Sequence, residues 1–529
     1  MNTVQKQGTE SIGKLLFQYS LPAVAGFLVN ALYQFVDRVL VGRGIGTEAM
    51  AAVTCVYPLT ILVMGVGMLL GTGTGNQIST LLGKGDKEGA ERVLGQSLRL
   101  AALLGGSLLL VLFVLARPIL ELCGAHGNVL AMAVPYLRIS AIGQIFLIAL
   151  ISMGNILRVQ GRPNLGLIFM VAGNVLNAGL AALAIFGLHW GVAGAALATT
   201  ISVALNLAAV LIFVQSPASL LRIRRRHLVA DAALARSILV QGAPIFLMQI
   251  LGTVQFLVAN RGAAGLDGAR GVAVVGVFNT ISILLIYPPL GVAQAMLPLV
   301  AFNRGAGNFG RVRSLLVSSL VITMAMGVIF AVTVALLPGP VASIFTKSDL
   351  RLVELVRLGL PWFMISVALF GIQGTASHYF LASQEPRKAG ILLLGRSLLS
   401  IPLFLVMPGL FGFFGLYLVA PLSDVPFAVV AVVLLRKEWK KLTAAERERE
   451  AAAIVEWDEV RLHKRALEDG KALELRLEYR EAVVGICQVR REQPALQTIQ
   501  WDAPAPSWAR EIFQQAGEEW ARETSLAVS

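Results

Sequence analysis

A carboxylate inside an otherwise apolar run is the first place where this sequence could do chemistry. Asp37 follows Asn30, Tyr33 and Gln34 by 7, 4 and 3 residues, spacings that set all four on one face of a helix. An acid in hydrocarbon is costly, so it should turn toward a bundle interior, where it can take up a proton or a cation. Asp424 lies near the middle of another apolar run. Arg396 stands about nine residues into the run before it, roughly 13 Å from that run's end and at a comparable depth. The pair reads as an ion pair, either a structural clasp or a proton-dependent switch. His378 could titrate near neutral pH, but a histidine bonded to its own helix end is the plainer reading.

Flat aromatic, thioether and amide groups suit the capture of varied cations. Gln34, Tyr57, Met153, Asn155, Phe278, Asn279 and Tyr287 are candidate substrate contacts on that ground. The same side chains also serve as ordinary helix packing. Gly71, Gly73 and Gly75 lack the Gly-Lys-Ser/Thr of a phosphate loop and read as close helix contacts. Cys55, Cys123 and Cys487 have no metal-site spacing and are expected as free thiols. No nucleophile–base pair, paired acids or metal cluster points to an enzyme, and no cofactor is expected beyond a coupling ion.

The elements that must position these groups are membrane spans. Of 529 residues, 56% are hydrophobic and 14% charged, with a mean hydropathy of +0.73, which excludes a soluble enzyme and a secreted disulfide scaffold. Apolar runs long enough to cross a core about 30 Å thick recur to residue 436 or so, giving about twelve spans. The first 439 residues carry net +16, and residues 440–529, with 14 basic and 17 acidic side chains, carry net −3. The basic groups cluster in alternate loops, as at Lys84, Lys87, Arg158, Arg162 and Arg222 to Arg236. By the positive-inside rule this predicts both termini in the cytoplasm of a bacterial plasma-membrane protein. Loop topology explains the basic charge without nucleic acid. The polar N-terminus shows no cleavage site, so the first span is expected to be retained.

The halves repeat. Pro22, Gly83 and Gly85 pair with Pro244, Gly305 and Gly307 at 222 residues, while Gln160, Gly166 and Gly191 pair with Gln384, Gly390 and Gly415 at 224. Six spans per repeat make the repeats parallel, about an axis along the membrane normal. The expected fold is therefore an all-α integral membrane protein of about twelve transmembrane helices in two pseudo-symmetric six-helix lobes, plus a small soluble C-terminal α+β tail. The boundaries are an N-lobe over 1–220, a basic interlobe loop over 221–236, a C-lobe over 237–439 and a tail over 440–529. Two such lobes suit a transporter that rocks about a central cavity.

The segment Phe-Val-Asp-Arg-Val-Leu-Val-Gly-Arg-Gly-Ile-Gly-Thr-Glu-Ala-Met-Ala-Ala-Val from Phe35 resembles the multidrug and toxic compound extrusion (MATE) family. So do Leu-Gly-Lys-Gly-Asp at 82–86, Arg-Val-Gln-Gly-Arg-Pro at 158–163, Gly-Val-Ala-Gly-Ala-Ala-Leu-Ala-Thr at 191–199 and Met-Leu-Pro-Leu-Val-Ala-Phe-Asn-Arg-Gly-Ala at 296–306. The resemblance covers residues 10–440 or so and is closest to the bacterial MepA-like branch. It implies a two-lobe exporter of organic cations and amphipathic drugs driven by inward H+ or Na+. A monomer is expected in contact with membrane lipid.

The resemblance also implies site residues. Asp37 matches the first-helix acid of the family's N-lobe cation site, Asn177 its Asn and Thr199 its Thr, so that a Na+ would sit at Asp37, Asn177 and Thr199. The family's second acid is replaced by Ala181, which favours a single titrating acid and hence H+. Asn174, one turn before Asn177, would complete the polar pocket. The acids of the family's other site, on the seventh and tenth spans, are absent. Gln249, Gln255 and Asn260 stand on the seventh, and Gln373 and His378 on the tenth. A lipid or lipid-linked oligosaccharide flippase of the same superfamily is the alternative, and a non-transporting scaffold or enzyme the third reading.

In the tail, residues 444–468 read as helix, 473–479 and 482–489 as strands, 494–506 as loop and 508–523 as a short amphipathic helix. Its role is open between an unknown cytoplasmic partner and a solvated extension.

Overall fold

The computed structural model describes residues 4–123, 125–345 and 349–458, and the backbone of four strands between 460 and 501. Its described residues include ten long apolar helices, each able to cross a membrane: α1 (Ile12–Gly44), α2 (Thr47–Gly83), α3 (Lys87–Val114), α4 (Gly127–Val159), α5 (Pro163–Ala182), α6 (Gly191–Gln215), α7 (Ala232–Gly305), α8 (Phe309–Leu336), α9 (Leu350–Ala382) and α10 (Pro386–Asp458). Aspartates begin three of them: Asp86, Asp231 and Asp349 accept from the backbone N–H of Gly89, Leu234 and Leu352 at 2.8, 2.9 and 3.0 Å.

Two of the ten are double spans. α7 runs for 74 residues and leaves helical geometry at Asp267 and Gly268, and α10 runs for 73 and leaves it at Gly412. Both glycines have positive φ, 50° and 60°. Gly268 falls 222 residues after Gly46, whose φ of 118° turns the chain between α1 and α2, so the break in α7 is the same reversal repeated. Each reversal folds back tightly, because Gly271 meets the carbonyl of Ala263 and Gly415 that of Met407 where no side chain would fit. Arg270 ties the first to the head of α9, donating to Asp349 at 2.9 Å and to Asp267 at 3.1 Å. Counted this way, the described residues make twelve spans, and their apolar length makes this a multi-pass membrane protein.

The spans form two lobes. One core joins Leu70, Ile78, Leu94, Ile148 and Leu157 from α2, α3 and α4; another joins Met296, Leu299, Leu315, Tyr379 and Leu392 from α7 to α10. The first helix of each lobe is shared. Leu15, Leu16 and Tyr19 of α1 are buried in the second core, whereas Ile238 of α7 is buried in the first. The basic interlobe loop lies on α3, where Arg224 pairs with the buried Glu91 at 2.8 Å. Large apolar side chains such as Leu110, Ile212, Leu257 and Val321 remain exposed, as a lipid-facing surface requires.

Residues from Thr443 onward form a separate compact unit. Its described strands, β1 (Val460–Leu467), β2 (Ala472–Tyr479), β3 (Ala482–Arg490) and β4 (Gln493–Trp501), make an antiparallel meander in the order β1-β2-β3-β4. Two expectations are corrected here: the helix stops at Asp458, ten residues early, and the stretch taken for a loop from 494 is largely strand β4. The helix expected over 508–523 lies outside the described residues, as does the side chain of Cys487. Cys55 and Cys123 are free.

Candidate functional site

Asp37 stands seven residues before the end of α1, about 10 Å in along the helix. Its carboxylate lies within electrostatic reach of two phenols, Tyr33 one turn earlier and Tyr136 of α4. Tyr33 hydrogen-bonds the Thr199 side chain of α6. One turn on, the Ser202 hydroxyl donates to the Thr199 carbonyl at 3.0 Å and accepts from Asn177 Nδ2 of α5 at 3.0 Å. A polar chain thus runs from the acid through Tyr33, Thr199 and Ser202 to Asn177. The buried Asn177 Oδ1 and Asn174 Nδ2 have no hydrogen-bond partner among the described residues, which leaves an acceptor and a donor in the pocket. Ala181 is buried one turn beyond Asn177 and contributes no oxygen. One carboxylate among hydroxyls and an amide oxygen can hold a proton or a desolvated monovalent cation.

Further along the same face of α1, Gln34 donates to Asn30 at 2.7 Å and accepts from the Tyr57 hydroxyl of α2 at 3.2 Å. Phe27 meets Tyr287 of α7 at 4.9 Å between ring centroids. Gln34, Tyr57 and Tyr287 therefore stand together where the lobes face each other. Asn279 is exposed on α7. Two other substrate candidates lie inside the lobes. Met153 is fully buried in the N-lobe core, and Phe278 stacks on Phe363 at 5.1 Å inside the C-lobe. Asn155 donates to its own helix at Ile151, 3.3 Å away, and packs against Gly71.

In the C-lobe, Arg396 forms an ion pair with Asp424, which is 2% exposed. His378 is buried with Nδ1 2.8 Å from the Gly374 carbonyl of its own helix. Gln373 donates to the Leu392 carbonyl at 3.2 Å. Both groups are thus used within the lobe.

The end of the bundle that carries the N-terminus is sealed. Asn76 donates to the Leu381 carbonyl at 2.9 Å, Gln77 to Ser237 at 3.0 Å, Gln384 to Thr80 at 3.0 Å and Arg158 to Gln294 at 3.4 Å, each from one lobe to the other. Helices α2 and α7 cross at repeat-related glycines: Gly83 lies on the carbonyl of Phe302, and Gly305 on that of Thr80. A segment ahead of α1 closes the seam, for Gln7 donates to the Val159 carbonyl at 2.9 Å while Asn303 donates to the Gln7 carbonyl at 3.0 Å.

Sequence reasoning missed Tyr136, Ser202 and Gln7. A tyrosine within an apolar run was the available signal for the first; serine in a helix and glutamine in a polar leader carry none.

Comparison with known proteins adds an independent line. The family described as MatE matches residues 22–183 and 244–406, one stretch in each lobe. The chain is 29% identical over 436 residues to the multidrug export protein MepA of Staphylococcus aureus (strain N315), covering 80% of this chain and 94% of that one. To MepA of Staphylococcus haemolyticus (strain JCSC1435) it is 28% identical over 439 residues, 82% and 95% of the two chains. Among solved structures, a multidrug resistance MATE family transporter of the MOP superfamily in an outward-facing conformation superposes with a TM-score of 0.76 at 25% identity, over 83% of this chain and 98% of the other. A MATE in the bent conformation superposes at 0.78, again at 25% identity, over 85% and 99%.

Proposed function

This chain belongs to the MatE family, and on that premise we propose that it is a secondary active multidrug exporter that drives organic cations or amphipathic drugs outward by antiport, with H+ as the coupling ion. The observation that carries the choice of ion is the pocket around Asp37, in which a single carboxylate is linked through Tyr33, Thr199 and Ser202 to Asn177, while Ala181 supplies no second charge. A lone acid neutralised by one proton needs no further ligand, whereas a bound Na+ would have that one carboxylate and otherwise only neutral oxygens. Loss of that charge would release a cationic drug held against Phe27, Tyr57 and Tyr287.

The N-lobe over 1–220, the loop over 221–236, the C-lobe over 237–439 and the tail from 440 follow the repeat and the change of charge. With the basic loops on the inside, both termini are cytoplasmic and the sealed end is the inner end in a plasma membrane. The test is efflux of a fluorescent cation from proteoliposomes under separately imposed pH and Na+ gradients. Flux driven by the pH gradient and lost in Asp37→Asn is expected. Flux driven by Na+ alone would overturn the choice of ion, and no flux under either gradient in folded, oriented protein would overturn export and bring lipid flipping forward.

A further inference from the structure

Glu438 of α10 is a buried acid that the exporter reading leaves unused. Its Oε1 accepts from Arg304 of α7 at 3.0 Å and from the Tyr379 hydroxyl of α9 at 3.3 Å, and its Oε2 from Lys388, at the head of α10, at 3.2 Å. Glu385, in the turn between α9 and α10, closes the ring, pairing with the same lysine and lying 3.8 Å from the same arginine. Two acids and two bases thus neutralise one another across three helices and a turn. Desolvation offsets much of the attraction in a network of this kind, so its net stability is small and its effect is to fix register.

Two arms lead from Glu438 to one residue of the other lobe. The first runs through Arg304 to Gly305, which lies on the Thr80 carbonyl of α2. The second runs through Lys388 and Glu385 to Gln384, whose amide donates to the Thr80 hydroxyl at 3.0 Å. Gln384 has a φ of 58°, left-handed geometry that a residue with a side chain keeps only where its surroundings impose it. Those surroundings are the bonds from the Gln384 and Glu385 N–H groups to the Leu381 and Phe380 carbonyls, at 3.1 and 2.9 Å, and the ion pairs of Glu385 beside it. The repeat does not carry this arrangement into the N-lobe. At offsets of 222 for Arg304 and 224 for the rest, Arg304, Glu385, Lys388 and Glu438 fall on Leu82, Gly161, Asn164 and Val214, none of them charged. Gln160, the counterpart of Gln384, accepts from Ser219 of its own lobe at 2.9 Å.

We propose that Glu438 is a positioning residue for alternating access, holding Gly305 and Gln384 at the spacing at which both engage Thr80. The sealed state needs the two contacts at once. With the network in place the C-lobe meets Thr80 preorganised; without it, the cost of ordering the turn and the end of α7 falls on the sealed state alone. Loss of Glu438 therefore shifts the balance toward the state open at this end. The role in transport rests on the exporter reading, but the seal itself can be followed without transport.

The experiment uses the full chain in nanodiscs, with Cys55, Cys123 and Cys487 replaced by serine and spin labels at Lys87→Cys and Arg387→Cys, exposed positions on either side of the seal. Glu438→Gln should raise the ratio of long to short distances roughly tenfold, the scale of one charge-assisted hydrogen bond. Glu438→Asp, which keeps the charge, should recover part of the short-distance population. Leu442→Ala, one turn on and buried in the same core, should lower the melting temperature without moving the distances. In a Gln384→Ala background, where one arm is already cut, Glu438→Gln should add less than it does alone. Arg304→Gln and Lys388→Gln, at half-buried sites, each cut one arm and should each shift the ratio about threefold, which carries the test if Glu438→Gln does not fold. Unchanged distances in folded Glu438→Gln or in both single-arm variants, or an equal shift in Leu442→Ala, would overturn the role. Distances that respond in a protein without efflux would count against the exporter reading and support this one.

Discussion

Leu16 and Ile238 stand 222 residues apart, the offset of the internal repeat, and each is buried in the lobe that belongs to the other. Leu16 packs among Met296, Leu299 and Tyr379, and Ile238 among Leu69, Leu70 and Leu94. The sealed end is thus held by an exchange of first helices as well as by hydrogen bonds. Opening it requires both exchanged contacts to break together, which suits a transition between two states better than a graded one.

The glycine crossing gives the sharpest test of that seal. A methyl group at Gly83 or Gly305 runs into the opposing carbonyl, of Phe302 or Thr80, and backbone cannot step aside as a side chain can. Gly83→Ala and Gly305→Ala should each shift the protein toward a state open at the N-terminal end and lower efflux, with folding kept. Spin-label distances between the tips of α2 and α9 should lengthen in both variants. Unchanged distances in a folded variant would remove the seal from this crossing.

Ser202 links Asn177 to Thr199, and its hydroxyl alone makes both bonds. Ser202→Ala should lower proton-driven efflux about fivefold, the effect of one hydrogen bond of about 1 kcal/mol, without changing the melting temperature by more than a few degrees. Ser202→Thr, which keeps the hydroxyl, should restore most of the activity. Equal activity in wild type and Ser202→Ala would take the polar chain out of coupling.

The Arg396–Asp424 pair separates a clasp from a switch. Arg396→Leu leaves a buried carboxylate uncompensated and should cost about 3 kcal/mol of stability, whereas Arg396→Leu with Asp424→Leu should recover most of it. If the double variant melts like wild type and still transports, the pair is a clasp. A stable double variant without transport assigns it to coupling. Thermal unfolding and efflux measured on the same preparations decide between them.

Outside the spans, the Arg270 hydrogen bond, helped by the Leu352 amide, holds the Asp349 carboxyl below the usual carboxylate range. A depressed acid contributes stability in full above its unfolded value of about 3.9 and loses it only as pH falls through the lower folded value. The melting-temperature gap between wild type and Asp349→Asn should therefore be constant from pH 8 to about pH 4 and close below that. A gap that closed between pH 7 and 5 would mean that another group governs this corner.

Composition and spacing reveal the spans, their pairing and Asp37 because the membrane penalises charge and rewards long apolar runs whatever the tertiary packing. They do not reveal which side of a span faces a cavity. Lipid and protein interior are equally apolar, so Met153 and Phe278 look the same in sequence whether they line a site or fill a core. In the tail, Ala, Glu and Arg suggest helix beyond Asp458, yet Val460, Leu462 and Leu467 enter strand β1 once β2 lies beside them. Pro494 suggests a loop, but β4 is an edge strand, where a missing N–H can face away from the ladder.

The exchanged first helices also set an order of assembly during synthesis. The N-lobe core is incomplete until Ile238 has emerged, by which time the chain is already committed to its seventh crossing. Leu15, Leu16 and Tyr19 wait far longer, because their neighbours include Tyr379, Leu392 and Leu442, among the last parts of the membrane body to be made. A ribosome that stalls after the sixth span would therefore release a half-protein with two uncovered surfaces, and quality-control proteases would meet it as an unfinished chain.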